Sequence, residues 1–456
     1  MKRWFAICTY VVLAAAVLCG LAQPPAAQAL SFGARGILAT GSEPDSIAAG
    51  DVNGDGKQDL VTANYGGDSV SVLLGNGRGG FGTRSDFPTG ARPTGVVIAD
   101  FNLDGKKDLA TASLVGNSVS ILLGDGSGSF AAKTDFSTGE QPRAIAVGDF
   151  NGDGKPDLVT ATGGAAAIAA SVLLGDGSGG FAARTDFGTG AGPWSIAVAD
   201  LNGDGKADVA TADSLDSSVS VLLGNGSGGF AAAAHFATGS WPESIAIVDV
   251  NADGKKDLVT ANTPGDSVSV LLGNGDGSFA AKTDFASGSY PRSIAGADFN
   301  GDGKRDLVTA NLNADTVSIL LGNGGGGFAA KTDFATGGGP MSVAVADFNR
   351  DGKPDLATAD NGTFTASVRL NTSPQRIRSL TPTRARVGAT VTIVGWGFAR
   401  TRGTSKIFFG KSAATRYVSW SAGKIRVKVP HTSEGGKAVT VKIGARKSNV
   451  AYFKVI

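Results

Sequence analysis

Asp51-Val52-Asn53-Gly54-Asp55-Gly56-Lys57-Gln58-Asp59 is the stretch that decides the fold. Its pattern, D-x-N-x-D-G-K-x-D, returns at Asp100, Asp149, Asp200, Asp249, Asp298 and Asp347. The steps are 49 residues, apart from one of 51 between Asp149 and Asp200. A fixed period near 50 means that each unit is one supersecondary element stacked on its neighbours. Each repeat also holds four short runs with strand character. The first is made of small residues, as in Ser293-Ile294-Ala295-Gly296-Ala297; then come Leu-Val-Thr-Ala, Ser-Val-Ser-Val-Leu-Leu, and a run from Phe279 to Phe285. The β-branched alternation argues for strands, no run has helical periodicity, and Asn76-Gly77, Asp125-Gly126 and Asn225-Gly226 mark hairpin turns. Four strands per unit in seven units predict an all-β seven-bladed β-propeller over residues 30–373.

Ring closure has its own signal. The phenylalanine of the fourth strand stands at Phe32, Phe81, Phe130, Phe181, Phe230, Phe279 and Phe328, so that one precedes the first acidic loop and none follows the last. The last repeat stops at Ser367-Val368-Arg369-Leu370-Asn371 without that strand, and the chain supplies one ahead of the first loop, from Phe32 to Leu38. The early strand is therefore expected to complete the seventh blade and remove an open sheet edge.

The nine-residue loops predict a hard cation, calcium, at about seven sites. Oxygens come from side chains at positions 1, 3, 5 and 9 and from the carbonyl at position 7, and the glycine at position 6 permits the positive φ of a wrapped loop. The donors expected are Asp51, Asn53, Asp55, Lys57 and Asp59; Asp100, Asn102, Asp104, Lys106 and Asp108; Asp149, Asn151, Asp153, Lys155 and Asp157; and Asp200, Asn202, Asp204, Lys206 and Asp208. The remaining three loops repeat them as Asp249, Asn251, Asp253, Lys255 and Asp257; Asp298, Asn300, Asp302, Lys304 and Asp306; and Asp347, Asn349, Asp351, Lys353 and Asp355. Thr62 at position 12, where an EF-hand loop carries glutamate, and the lack of flanking helices exclude an EF-hand array.

Charge divides the chain. Residues 30–373 hold 22 Lys/Arg against 39 Asp/Glu, whereas residues 374–456 hold 17 Lys/Arg and one acid, Glu434. Seven divalent cations would offset most of the first excess. The basic segment 374–456 alternates in short runs with Gly, Pro and Thr turns and reads as a small Ig-like β-sandwich. Its charge suits either its own acidic neighbour or an anionic cell-surface polymer, with no element for sequence-specific nucleic-acid readout. Residues 1–29 read as a signal peptide: Lys2 and Arg3, an apolar run from Trp4, and Ala27-Gln28-Ala29 as a cleavage site, with no membrane span left after cleavage. Cys8 and Cys19, the only cysteines, both lie in it. The mature chain is expected to be secreted or at the surface of a bacterial cell, without disulfides.

The seven loops and the adjoining SVSVLLGNGxGxF segments resemble FG-GAP/VCBS-type repeats, the family of the α-integrin propeller and several propeller lectins. The tail resembles an IPT/TIG immunoglobulin-like domain at Ser379-Leu380-Thr381-Pro382, Gly388, Gly395, Gly397-Phe398, Phe409-Gly410 and Val429-Pro430. The resemblance implies a calcium-binding propeller with ions between first and second strands, used for adhesion and binding more than catalysis.

The face opposite those loops is where the repeat varies. Ahead of the first strand stand Glu43/Asp45, Arg92, Gln141/Arg143, Trp194, Trp241/Glu243, Tyr290/Arg292 and Met341. Trp194, Trp241 and Tyr290, with Arg143 and Arg292 beside them, are expected to form an aromatic arc that binds a glycan or protein outside the cell. Catalysis is not expected. The only histidines are His235, at the place of Asp86 and Asp135 in other repeats, and His431 in the tail. An extracellular polysaccharide lyase or hydrolase on the same scaffold is the alternative.

Overall fold

The computed structural model describes residues 30–164, 167–444 and 446–456; the segment read as a signal peptide lies outside the described residues. Seven four-stranded antiparallel sheets follow one another as propeller blades. In blade 1 the inner strand is Pro44–Gly50, followed by Asp59–Asn64, Ser69–Leu73 and an outer strand Ser85–Pro88. The second strand is buried at every residue, which is why it reads as an unbroken Leu-Val-Thr-Ala run rather than an alternation. The outer strand is mostly exposed and turns its phenylalanine inward, where Phe87 meets Phe130 of the next repeat at 5.3 Å.

Inner strands touch their neighbours in sequence order, and the last, Pro340–Ala346, returns to the first. Closure is as the sequence predicts. Gly36–Ala39 pairs antiparallel with Thr365–Arg369 as the outer strand of blade 7, and Phe32 packs edge-on to Phe334 at 4.9 Å.

The tail is a sandwich of two sheets. One orders Arg376–Thr381, Thr390–Trp396, Lys424–Lys428 and Tyr417–Trp420; the other is centred on Ala451–Val455, Gly435–Ile443 and Lys406–Phe409. Val391, Ile393, Ile425 and Val427 from one face Ile407, Phe409, Val439 and Phe453 from the other.

Of the two readings of the basic tail, the structure shows it docked on its own propeller, over the sixth and seventh acidic loops. Arg378 pairs with Asp298 and donates from Nε to the Gly301 carbonyl at 3.2 Å. Trp396 lies on Gly301, where an added Cβ would fall 2.5 Å from its ring, and Gly301 has φ +73°. Lys353 is 4% exposed, with its ammonium 5.5 Å from the Trp396 ring centre. Gly301→Val and Trp396→Ala, which lose an indole contact of about 3–5 kcal/mol, are each expected to loosen this dock. Small-angle scattering should then give a larger radius of gyration than that of the parent, as the tail swings from the ring. Parental scattering curves from both folded variants would refute the contact.

Candidate functional site

Every inner strand begins with proline, and directly after it the pairing with the second strand slips by one residue. Pro44 faces Asn64 and Ser46 faces Ala63, which leaves Asp45 bulged. The same slip leaves Thr94, Arg143, Trp194, Glu243, Arg292 and Met341 unpaired in the other six blades. A bulge re-aims its side chain. Here all seven line one depression, which must lie on the propeller axis because every blade contributes to it; its volume is about 200 Å³. The next residue is serine in five blades. Hydroxyl oxygens of Ser342, Ser195, Ser244 and Ser293 accept N–H groups of Ile47, Ile245, Ile294 and Val343 in the following blade at 3.2–3.4 Å. The serines thus tie blades together, and the bulged residues are free to differ.

Four of the seven are charged. Arg292 pairs with Glu243, whose side chain is almost fully buried. Arg143 lies 4.0 Å from the Trp194 ring centre, and Arg292 lies 5.1 Å from the same ring. Burial lowers the pKa of the Arg143 guanidinium, and Arg292 adds to this. Asp45 is pushed up to about 6, by burial first, against the pull of Arg292 and Arg143. Deeper in, the channel wall is apolar: Ala48, Val97, Ala146 and Val198. A ligand therefore meets its polar contacts at the mouth.

The expected aromatic arc is split. Trp194 follows its proline and faces the depression, but Trp241 and Tyr290 precede theirs. They occupy the left-handed region, with φ 52° and 61°, at the rim turn. Trp241 is 44% exposed there, and the Tyr290 N–H donates to Asp266 at 2.7 Å. The two positions are two residues apart in the repeat, on either side of the proline, and only the second is the bulged one. Arg143 and Arg292 do join Trp194, and they cover its ring, so the indole positions guanidinium groups. Thr94, Asp45, Glu243 and Met341 complete the ring; aligning the repeats on the proline would have picked out all seven.

The acidic loops lie at the far end of the inner strands. In the first, both oxygens of Asp51 accept loop N–H groups, from Asp55 and Gly56, and Asn53 also accepts from Asp55. Asp55 accepts from the Lys57 N–H and pairs with its ammonium at 2.7 Å. Asp59, fully buried, accepts from Val52 and from Gly75 of the third-to-fourth-strand hairpin, at 2.9 and 2.7 Å. Corresponding bonds tie Asp108, Asp157, Asp208, Asp257 and Asp306 to their own loops and hairpins, and Asp355 to its own loop and to the Asn371 N–H that follows its third strand. Burial pushes Asp306 up to about 7 and Asp355 to about 8, with neighbouring loop aspartates adding to it.

Among the described residues, no three acidic, His or Cys side chains close on a common point as a metal cluster. The donor set nevertheless fits a hard cation, since every side-chain donor in it is oxygen. In the fifth loop the fit is direct: Asp249 Oδ1 is buried and has no hydrogen-bond partner.

His235 takes the place of the outer-strand aspartates. Its Nδ1 lies 3.0 Å from Ser220 Oγ, just as Asp86 meets Ser71, and it stands away from the depression.

Comparison with known proteins agrees with this architecture. The FG-GAP-like repeat model matches six overlapping stretches that together span residues 51–358, and the IPT/TIG domain model matches 374–454. The chain belongs to the FG-GAP-like repeat family and ends in a TIG domain. A cyclomaltodextrin glucanotransferase of Paenibacillus macerans is 40% identical over 78 residues, 17% of this chain and 11% of that protein. The chain thus spans only about a tenth of that relative. Among solved structures, BBS1N in complex with ARL6DN superposes with a TM-score of 0.53 at 12% identity, over 75% of this chain and 96% of that one. Virginiamycin B lyase from Staphylococcus aureus gives 0.51 at 14%, over 74% and 99%. The periplasmic gluconolactonase of Pseudomonas aeruginosa gives 0.51 at 16%, over 68% and 98%. At these identities the likeness is one of fold.

Asp45 sets a pH dependence. Its folded carboxyl titrates above 3.8, so ionising it costs stability. Its favourable share is present below about pH 4 and lost as the pH rises to about 6. Asp45→Asn is expected to leave stability at pH 4 nearly unchanged and to raise it at pH 7 by about 1–3 kcal/mol, channel solvent reducing the larger figure. Denaturant unfolding of both proteins at the two pH values checks this; an offset that does not grow with pH refutes it.

Proposed function

We propose that this member of the FG-GAP-like repeat family is an exported, calcium-loaded binding propeller. It recognises a glycan or protein ligand at or outside the cell surface without transforming it. One observation carries the reading. In a repeat whose other inner-strand positions stay small or aliphatic, the bulged position alone crosses chemical classes and reads Asp, Thr, Arg, Trp, Glu, Arg, Met around the ring. A residue that served the blade would repeat with the blade. Seven mostly different residues aimed at one depression serve something that enters it.

No histidine, cysteine or lysine lines the depression among the described residues, which favours recognition over group transfer. Export rests on the amino-terminal segment. Among the described residues no helix is long and apolar enough to cross a membrane.

Calcium belongs to the scaffold in this reading. The side chains at loop positions 1, 3, 5 and 9 and the carbonyl at 7 hold it, and the ion supplies the positive charge that the buried aspartates lack. Excess chelator is expected to lower Tm by on the order of 10 °C or more, because seven sites in the native state add stability by linkage. An unchanged melt would remove calcium from the proposal.

A glycan array in millimolar calcium tests recognition. Binding should be lost in Arg143→Ala/Arg292→Ala and kept in Trp241→Ala/Tyr290→Ala. The reverse pattern would move the site to the rim, and no binding by any form would discard glycans in favour of a protein ligand.

A further inference from the structure

We infer that the depression receives a sugar residue bearing a carboxylate, at the end of a glycan, with Arg143 as the group that holds the acid. This rests on the recognition reading above and specifies its ligand. The two arginines of the ring are not equivalent. Arg292 is already matched, by the buried Glu243. Arg143 makes no ion pair and donates no side-chain hydrogen bond among the described residues, although it is drawn into the same depression and held 4.0 Å from the Trp194 ring. A guanidinium has five donors in a rigid fork that matches a carboxylate in two parallel bonds. Stacking on the indole fixes the plane of that fork before any ligand arrives, which lowers the entropy cost of binding.

The remainder of the lining specifies what carries the acid. Ser195, Ser244, Ser293 and Ser342 each accept one backbone N–H of the next blade on the hydroxyl oxygen. Each keeps a hydroxyl proton to donate into the depression. Glu243 and Asp45 add acceptors. Donors and acceptors together on one wall suit a polyol ring. A peptide carboxyl terminus is a poorer match, since it needs an apolar pocket for its last side chain and a nest of backbone N–H groups. The volume of about 200 Å³ lies below the range of sites for drug-sized ligands, so the depression takes one ring. An axial mouth that takes one ring reads the end of a glycan.

Asp45 gives the site a pH signature. Across the depression it faces Arg143, Arg292 and Glu243, with Glu43 beside it. With both acids ionised, the two arginines are offset. Protonation of Asp45 below about pH 6 leaves one positive charge for the ligand. Affinity for an acidic sugar should therefore rise as pH falls from 7.5 to 5.

Isothermal titration of the full chain in millimolar calcium tests this, with D-glucuronate, D-galacturonate and N-acetylneuraminate as probes against D-glucose and D-galactose. At least one acid should bind tenfold or more better than the neutral sugars and better at pH 5 than at 7.5. Arg143→Met should abolish the preference, Arg143→Lys keep part of it, and Arg78→Met, on an exposed loop, keep all of it; thermal melts confirm that each variant folds. No preference among the probes, or one that survives in folded Arg143→Met, overturns the inference. Neutral glycans retained on the array by the depression would leave the recognition reading standing while this one fell. An array without any glycan binding would end both for sugars.

Discussion

The pairing of Gly36–Ala39 with Thr365–Arg369 is the constraint on which the rest depends. It joins residues more than three hundred positions apart, so its loop-closure entropy is met only after every blade between them has formed. It then turns a row of seven sheets into a ring. Only a ring brings the starts of seven inner strands to one place, and without it Asp45 and Met341 would stand at opposite ends of an array. The closure is reinforced on both sides. Arg369 donates to the Gly33 carbonyl at 3.0 Å, and the Asn371 N–H donates to Asp355, the carboxylate that elsewhere takes a hairpin glycine.

Within the ring, the repeat divides its work by position. The ninth residue of each acidic loop is buried and bonded the same way in every blade, so any change there costs an unsatisfied buried N–H group. The serine after the bulge bridges to the next blade. Within the inner strand the bulged residue alone is released from the ladder, and it alone changes chemical class from blade to blade. A bulge lets a strand keep its register on both sides while lending one side chain to the axis. Diversity at the mouth therefore comes without loss of blade stability.

Much of this was legible in the sequence because it follows from period and composition. The step of 49 residues, the alternation in SVSVLL and the stray phenylalanine at Phe32 predict blades, strands and closure. The bulge was not legible. No residue type announces it, since the slipped position holds seven side chains of every character and only the proline before it is common to all. That is why Trp241 and Tyr290 pass for equivalents of Trp194, although an offset of two residues, across the proline, places them in a left-handed rim turn outside the depression. Nor does the sequence tell that Trp194 is covered by Arg143 and Arg292. An aromatic beside two arginines reads as a platform until the stacking is seen.

Charge gave the direction of the domain arrangement but not its contacts. A segment of 17 basic residues beside an acidic ring predicts attraction, yet the dock uses few of those cations. It is built on a tryptophan over a glycine and one arginine at Asp298. Exposed charges attract over a Debye length but fix no geometry, whereas a close approach that only glycine permits fixes both position and angle. The dock also makes the acidic loops unequal, because it lies on the sixth and seventh and leaves the others to solvent. Arg378 brings a positive charge to the Asp298 carboxylate, which in the other loops answers only to its own backbone. In the calcium-loaded reading proposed above, an ion in the sixth loop would share the Asp298 carboxylate with the domain contact, and loop occupancy and tail seating would then alter one another reciprocally.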